Sequence, residues 1–235
     1  MTAKRGPAAT DISARATELS GLYQGLEGPD LLRPMIGTEF AGRIALSSSF
    51  GAEASVLLHM VAEIDPATPV LFLDTGKLFG ETKRYRRELS ERLGLTDVRD
   101  LRPEPADLEA RDADGILWQS APDTCCYVRK VLPLRRALQD FDAWINGRKR
   151  FQGALREDIA LVEEFEGRIK LNPLANWTRA MLDDYIEAHD LPRHPLIADG
   201  YASIGCMPCT APADSRDGRW AGREKTECGI HLRAS

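Results

Sequence analysis

From residue 43 onward, hydrophobic and polar positions repeat in the order short apolar run, polar turn, amphipathic segment. The apolar runs predict β-strands at residues 43–46, 69–73, 97–101, 141–145 and 168–171. Apolar residues with helical spacing predict helices at about residues 11–22, 80–93, 124–139 and 179–189, and another around Val56–Val61. Residues 69–73 are apolar throughout, as expected for a strand that is buried on both faces. Strands that alternate with helices indicate a three-layer α/β fold with a mostly parallel, twisted sheet and right-handed crossovers.

Three polar turns follow strands of this predicted sheet. They are Ser47–Gly51, Asp74–Gly76 and Gly147–Arg150. Ligands of such sheets bind beyond the carboxyl ends of the strands, so we expect these turns, with Asp74 and Gly147, to surround one mouth.

The first of these turns is a candidate anion site, because Ser47, Ser48, Ser49 and Gly51 immediately precede a helix. Hydroxyls and the free N–H groups of a helix N-terminus can bind a phosphate, but serines before a helix also serve as ordinary caps. Neither G-x-G-x-x-G nor G-x-x-x-x-G-K-[ST] occurs, which argues against the standard dinucleotide and P-loop sites.

Basic residues gather at the third turn, where Arg148-Lys149-Arg150 follows Gly147 and Arg156 comes soon after. Such a cluster is either a solvated face or, at the mouth of a sheet, a phosphate-binding group with bidentate arginine contacts. The local sequence leaves both interpretations open.

The chain is predicted to have three parts: residues 1–38, an N-terminal helical extension; residues 39–209, the α/β domain; and residues 210–235, a flexible C-terminal tail. After Asp190, glycine, proline and charged residues dominate and the apolar periodicity is lost. We therefore expect the last part to lie over the domain or to be partly mobile.

Composition narrows the class of protein. The 235 residues carry a net charge of −5, which argues against non-specific nucleic-acid binding. No stretch reaches the roughly 20 apolar residues of a membrane span, and the first 30 residues lack the apolar core of a secretory signal. The expectation is a cytoplasmic protein without a membrane partner, and a homo-oligomer stays open.

Four of the five cysteines form two pairs, Cys125-Cys126 and Cys206-x-x-Cys209. In a reducing compartment, grouped cysteines indicate metal or redox chemistry, and Cys-x-x-Cys alone fits either. Four thiolates suit zinc or a [4Fe–4S] cluster, and an adjacent pair makes a poor zinc knuckle, which favours the cluster. Lys130 lies one helical turn after Cys126, beside the anionic thiolates or simply on the surface.

The fifth cysteine, Cys228, follows a stretch that includes Arg216, Arg219 and Lys225. Cationic neighbours favour a thiolate and attract an anionic substrate, although acidic residues are interspersed. The residue is either an incidental thiol or a nucleophile on a mobile arm.

The sequence resembles the thioredoxin-dependent adenylylsulfate and phosphoadenylylsulfate reductases of sulfate assimilation. The segments that carry this resemblance span residues 40–232 in the order of the family: Ser48-Ser49-Phe50-Gly51, Leu73-Asp74-Thr75-Gly76-Lys77, Cys125-Cys126-x-x-Arg129-Lys130, Trp144-Ile145-Asn146-Gly147, Asn172-Pro173-Leu174, Gly200-Tyr201-x-Ser203-Ile204-Gly205-Cys206-x-x-Cys209, Arg216-x-Gly218-Arg219-Trp220 and Glu227-Cys228-Gly229-Ile230-His231.

The resemblance implies an adenine nucleotide alpha hydrolase-like fold of the ATP-pyrophosphatase type, with a modified phosphate loop and no ATP hydrolysis. It also implies an oxidoreductase that acts on a sulfur group with a disulfide as acceptor. Cys228 would attack the sulfur of the sulfonucleotide and form an S-sulfocysteine. Thioredoxin, or glutaredoxin, would then release sulfite by thiol exchange.

Within this family, members with both cysteine pairs carry a [4Fe–4S] cluster on them and mostly reduce adenosine 5′-phosphosulfate (APS). The resemblance therefore implies a cluster on these four cysteines and APS as the substrate. The Ser-Phe-Gly loop is closer to that of enzymes that use the 3′-phosphorylated compound (PAPS), which keeps PAPS or dual use open. Lys130 would link cluster and active site, and Arg156, Arg216 and Arg219 would hold phosphate and sulfate.

Two other classes remain as alternatives. An ATP pyrophosphatase or adenylyltransferase on the same fold would need a Ser-Gly-Gly-x-Asp-Ser loop, which residues 50–53 lack. The other is a non-catalytic zinc or iron–sulfur protein whose tail binds a partner.

Overall fold

The structure is a computed structural model that describes residues 9–232. In this range the strands are β1 (Ile44–Ser48), β2 (Val70–Leu73), β3 (Val98–Leu101), β4 (Ala143–Ile145), β5 (Val162–Phe165) and β6 (Arg168–Leu171). They form a six-stranded sheet in the order β3-β2-β1-β4-β6-β5 within the described range. The first five strands of this order pair in parallel, and β5 pairs antiparallel with β6 at the edge. The predicted α/β class with a mostly parallel sheet is confirmed.

Helices and helical turns connect and cover the strands. The α-helices are α1 (Ala9–Leu22), α2 (Gly28–Pro34), α3 (Ala54–Ile64), α4 (Gly80–Arg92), α5 (Pro105–Arg111), α6 (Leu117–Ser120), α7 (Pro122–Cys126), α8 (Leu132–Ala137) and α9 (Arg179–Ala188). Two π-helical turns lie at Met35–Glu39 and Tyr127–Val131. Short 3-10 turns lie at Leu138–Asp140, Arg150–Gln152, Ala154–Arg156, Pro195–Ile197, Met207–Cys209 and Arg216–Gly218.

Alternating residues of the central strands face two separate cores. Leu46 and Phe72 belong to the main core, which includes residues of α1, α2, α3 and α9. Ala45 and Leu71 face the opposite side, where Leu134 of α8 packs against them. All four residues of β2 are buried, as its continuous apolar run predicts. The sheet is therefore the middle of three layers.

The edge strand β5 was not predicted from the sequence. Its residues Val-Glu-Glu-Phe bury only the two ends, and its hairpin to β6 turns at Glu166 and Gly167, both with positive φ. Neither a strong apolar alternation nor an Asn-Gly turn marks this hairpin. The strand lies at the edge beside α1, where the hydroxyl of Ser20 donates to the carbonyl of Val162.

The helix predicted at residues 124–139 is interrupted. The backbone N–H of Leu132 donates to the carbonyl of Tyr127, five residues earlier, which makes a π-helical turn between α7 and α8. Pro133 follows and lacks the N–H that a regular α-helix would use there. Apolar spacing alone does not reveal this turn.

The predicted division into three parts remains a prediction. Leu19 and Leu32, from the predicted N-terminal extension, are buried in the same core as the sheet. Residues 1–8 and 233–235 of the predicted end segments lie outside the described residues. In the described part of the chain, no helix combines the length and apolar character that a membrane span requires.

A buried histidine gives the fold a predictable acid sensitivity. His194 is 1% exposed, accepts from the N–H of Leu196 through Nδ1, and contacts the hydroxyl of Thr82 through Nε2. Burial lowers the pKa of His194 from 6.5 to about 4. Between these values the unfolded chain binds a proton that the folded chain does not, so stability falls as the pH falls. We expect the free energy of unfolding to drop by about 2 kcal/mol from this group between pH 7.5 and pH 5.

Urea unfolding at both pH values would measure this drop, with His194→Gln as the matched variant. The variant should lose less stability over the same interval than the parent. An equal loss in both proteins would contradict the assignment of the effect to His194.

Candidate active site

A cavity of about 560 Å³ opens at the carboxyl ends of β1, β2 and β4. Ten of the residues predicted for the site line it: Ser47, Ser48, Ser49, Gly51, Lys130, Gly147, Arg156, Arg216, Arg219 and Cys228. The structure thus brings together residues that lie up to 181 positions apart in the sequence.

The turn after β1 has a tight backbone that another segment of the chain can approach closely. The hydroxyl of Ser48 accepts from the N–H of Phe50, whose φ of 48° is unusual for an aromatic residue. A Cβ at Gly51 would lie 3.3 Å from the carbonyl oxygen of Ile204, so the absence of a side chain lets the segment before Cys206 approach. The loop leads into α3, whose N-terminus adds partial positive charge on this side.

Asp74 differs from the other predicted residues and does not line the cavity. Its carboxylate accepts from Lys83 and Arg102, each at 3.2 Å, and from the backbone N–H of Gly76. Burial alone would raise the pKa of Asp74, but these partners lower it. Thr75, the next residue, lines the cavity instead. Side chains alternate in direction where β2 ends, which accounts for the lining by Thr75 and not by Asp74, and a role of Asp74 in substrate binding remains a prediction.

The basic triplet is not a solvated face. Arg148 and Lys149 are both buried, line the cavity, and are paired with Glu163 and Glu53 at 2.6 Å. Arg150 instead donates to the carbonyl of Ile159, outside the cavity lining. The two buried cations bring positive charge to the cavity, and each already has a carboxylate partner.

Two further arginines come from a 3-10 turn of the tail. Arg216 opens this turn and Arg219 follows it, so both side chains reach the cavity. Arg219 lies against Gly205, where a Cβ would come within 2.2 Å of its guanidinium carbon. The ring of Trp220 lies 4.5 Å from the Arg219 guanidinium carbon and 5.7 Å from that of Arg216. Trp220 has a φ of 53°, a strained backbone for a bulky residue, which here turns its ring towards both arginines.

Glu227 lies between two of the arginines. Its carboxylate accepts from Arg156 at 2.5 and 2.9 Å and from Arg216 at 3.1 Å. Burial would raise the pKa of Glu227, but the two guanidinium groups outweigh it and lower the pKa. Burial and the charge of Arg156 lower the pKa of Arg216 to about 10.

The residues after Glu227 fix the position of Cys228. Gly229 has a φ of 89°, and Ile230 packs against the core beneath α8. The imidazole of His231 stacks on Trp144 with an interplanar angle of 10° and a centroid distance of 5.7 Å. Burial, and then the charges of Lys170 and nearby arginines, hold the pKa of His231 well below its usual value. The stack is therefore neutral and apolar, and together with Ile230 it anchors the tail next to the nucleophile candidate.

The other four cysteines line a second, smaller pocket. Cys125 and Cys126 come from α7, and Cys206 and Cys209 come from the start and the end of the 3-10 turn just before the tail. The backbone N–H of Met207 donates to the carbonyl of Lys77, which ties the second pair to the loop after β2. Across residues 9–232, no three His, Cys, Asp or Glu side chains converge closely enough to hold a single metal ion.

Four cysteine thiols that line one pocket supply the donor set that a [4Fe–4S] cluster requires, and tetrahedral zinc can use the same four sulfurs. Burial raises the pKa of Cys126 to about 12 and that of Cys125 to a lesser degree. These buried thiols would need a positive partner to ionise, and a coordinating metal supplies one. The donor set and its surroundings thus fit an iron–sulfur cluster.

Cavity and thiol pocket share a wall. The residues that line both are Lys130, Cys206, Arg219 and Trp220. Burial alone would lower the pKa of Lys130, but the surrounding thiols, chiefly that of Cys206, raise it. A single ammonium group therefore faces both the four-cysteine pocket and the cavity with Cys228.

A buried ion pair behind this wall was not assigned from the sequence. Arg129 donates to Asp112 at 2.5 and 2.9 Å and to the carbonyl of Thr75 at 2.9 Å. The pair joins the loop after β2 to the segment that carries the first two cysteines. Arg129 stands in the Cys-Cys-x-x-Arg-Lys motif, but Asp112 lies in a polar stretch with no pattern to mark it.

Sequence comparison gives a consistent set of relatives. A family model of the phosphoadenosine phosphosulfate reductase domain matches residues 43–212. The adenosine 5′-phosphosulfate reductase of Mesorhizobium japonicum is 49% identical over 231 residues, which cover 97% of this chain and 91% of that protein. The protein of the same name from Salinibacter ruber is 40% identical over 235 residues, or 95% of this chain and 93% of that one.

Solved structures support the fold. Phosphoadenylyl-sulfate reductase from Candida auris, in a phosphate complex, aligns with a TM-score of 0.71 and 24% identity over 89% of this chain and 100% of that one. FMN adenylyltransferase from Candida glabrata aligns with a TM-score of 0.57 and 17% identity over 100% and 79% of the two chains. At these identities the likeness shows a shared fold, consistent with the α/β architecture predicted from the sequence.

Proposed function

The chain belongs to the phosphoadenosine phosphosulfate reductase family, and from that premise we propose that it reduces APS to sulfite and AMP through a covalent intermediate on Cys228. It is an oxidoreductase of sulfate reduction, as its curated relatives are. Their shared name, adenosine 5′-phosphosulfate reductase, supports APS as the substrate.

One observation carries the proposal: Cys228 lines the same cavity as the serine loop and the arginines of the tail. The serine loop and the N-terminus of α3 can bind the nucleotide phosphate, and Arg216 and Arg219 can bind the sulfo group. A thiol next to a bound sulfo group has the geometry for nucleophilic displacement.

In the first step, the thiolate of Cys228 attacks the sulfur of APS. A sulfur–sulfur bond forms, the bond from sulfur to the phosphate oxygen breaks, and AMP leaves with that electron pair. In the second step, a thiolate of a dithiol protein attacks Sγ of Cys228 and sulfite leaves with the electrons of the cleaved bond. The second thiol of that protein then releases Cys228, so the two electrons come from its oxidation to a disulfide.

Cys125, Cys126, Cys206 and Cys209 would hold a [4Fe–4S] cluster in the thiol pocket. A bound cluster would supply negative charge and structural order beside the cavity. Lys130 lies on the shared wall, where its ammonium would balance that charge and face the substrate.

We further propose thioredoxin, or glutaredoxin, as the dithiol reductant and the cytoplasm as the location, since the chemistry needs a reduced protein dithiol. The flexible-tail division proposed from the sequence also fits this scheme, because Cys228 must be reached by substrate inside the cavity and by reductant outside it.

The test is release of sulfite from APS by anaerobically purified protein with thioredoxin, thioredoxin reductase and NADPH. APS should support turnover at least about tenfold better than PAPS, because the curated relatives act on APS by name. Faster turnover with PAPS would overturn the substrate assignment, and no sulfite from either would overturn the proposed function.

The contact between Gly205 and Arg219 gives a prediction about substrate binding. A Cβ at Gly205 would lie 2.2 Å from the guanidinium carbon, so Gly205→Ala must push Arg219 away from the cavity wall. Loss of one charge-assisted contact is expected to raise KM for APS about tenfold with a smaller change in kcat. Steady-state kinetics would measure this, with Gly80→Ala as control because a Cβ there meets open space. An unchanged KM in Gly205→Ala would show that Arg219 does not bind the substrate.

A further inference from the structure

The carboxylate of Glu227 is held unequally by its two arginine partners. Arg156 binds it in bidentate fashion at 2.5 and 2.9 Å, and the Arg156 side chain is 8% exposed. Arg216 makes one contact of 3.1 Å, and its side chain is 23% exposed. The same Nη2 of Arg216 also donates to the carbonyl of Thr226. Arg156 is therefore the firmer, more enclosed partner, and Arg216 the looser one.

The other charged groups around the cavity show why the difference between Arg156 and Arg216 affects anion binding. Arg148 and Lys149 already have the carboxylates of Glu163 and Glu53. Within residues 9–232 Arg219 makes no ion pair, and its buried Nε has no hydrogen-bond partner. Asp214 and Asp217 also line the cavity, but the carboxylate in contact with Arg216 is that of Glu227, which reduces the positive charge that Arg216 can offer an anion.

Glu227 is also the residue directly before Cys228. Its bidentate bond to Arg156 fixes the backbone at residue 227, and the packing of Ile230 fixes it on the other side. The backbone at Cys228 is therefore held from both sides while Glu227 and Ile230 keep these contacts. The group that weakens anion binding is therefore the group that aims the nucleophile.

We propose that Glu227 is a positioning residue with two opposed effects: through Arg156 it seats Cys228 at the cavity, and through Arg216 it competes with the anionic sulfo group of the substrate. This inference rests on the proposed function and extends it. Arg156 is then an anchor of the tail more than a ligand of the substrate, and Arg216 is exchanged between Glu227 and substrate during turnover.

Glu227→Gln separates the two effects, because the amide keeps the shape and removes the charge. Without that charge, Arg216 is free for the substrate, and we expect the Kd for APS to fall about fivefold. The bond from residue 227 to Arg156 also becomes weaker, so Cys228 spends less time in its position at the cavity. We therefore expect kcat to fall about 30-fold. A merely structural defect would weaken binding and lower kcat together.

The Kd would be measured by calorimetry in a Cys228→Ser background, where turnover cannot occur, for APS and for AMP. Asp123→Asn is the matched control, because it removes the charge of the exposed partner of Lys225, another ion pair of the tail, without touching the arginines. It should leave kcat and both Kd values close to those of the parent. Thermal melting would establish that each variant is folded, and Glu227→Asp, which keeps the charge, should restore the parental Kd.

A Kd for APS that is unchanged or higher in Glu227→Gln, in folded protein, would overturn the inference. If the parent protein releases no sulfite from APS, the proposed function fails instead. The affinities in the Cys228→Ser background still report whether Glu227 competes for the cavity: AMP lacks the sulfo group, so its Kd should change little in Glu227→Gln, and an equal gain for AMP and APS would count against the inference.

Discussion

Replacement of Cys228 by serine is expected to lower sulfite release from APS by at least about 1,000-fold, because a hydroxyl cannot form the covalent intermediate at neutral pH. The side chain lies in the cavity and not in the four-cysteine pocket. The visible absorbance and iron content of the protein should therefore stay at the parental level. In the parent, incubation with APS and no reductant should add the mass of one sulfo group, and Cys228→Ser should gain none.

Thr226→Ser is the matched control, since it is another conservative change in the same exposed stretch of tail. Its turnover should stay close to that of the parent. Retained turnover in Cys228→Ser would remove this residue from the mechanism, and a sulfo group found on another cysteine would move the nucleophile to that position.

Replacement of Cys206 by serine is expected to remove most of the bound iron and the visible absorbance, and to lower sulfite release by at least about 100-fold. Cys206 lies on the wall shared by pocket and cavity and contacts the hydroxyl of Thr75 at 3.3 Å. Its loss should therefore disturb both the proposed cluster and the cavity beside it. Iron and inorganic sulfide analysis, with the spectrum of anaerobic protein, would measure the effect.

Met207→Ala is the control for this experiment, because Met207 belongs to the same turn and is 56% exposed. It should keep the parental iron content. A full complement of iron in Cys206→Ser would contradict its role as a ligand, and stoichiometric zinc in the parent protein would contradict the cluster itself.

Much of the fold could be predicted from the sequence because its central strands are short runs of apolar residues. β2 is buried on both faces, as expected for a strand whose residues are all apolar. The elements that could not be predicted are stabilised by contacts between residues far apart in the sequence. β5 is a strand because β6 pairs with it and α1 covers it, and its own residues give only a weak pattern.

The residues of the site likewise divide into those that could be predicted from the sequence and those that could not. The serine loop and the cysteine pairs could be found because spacing and position relative to the strands carry their chemistry. The absence of Asp74 from the cavity lining could not be predicted, because successive side chains at a strand end point in opposite directions. Asp112 and Glu227 were given no role, since an acidic residue in a polar stretch acquires one only when the fold brings an arginine to it. Arg129 and Arg156 lie 17 and 71 positions from these partners.

The π-helical turn at Tyr127–Val131 sets which faces of this segment meet the thiol pocket and the core. A π turn contains one residue more than the corresponding α-helical turn, so it takes up an extra residue without rotating the two flanking helices relative to each other. If the same residues rewound as a regular α-helix, one side of the segment would rotate by about 100° relative to the other. Either the adjacent cysteines or the apolar face of α8 would then point to solvent. Substitutions that favour a regular helix here would therefore separate the thiol pocket from the core that supports it, even though the chain length is unchanged.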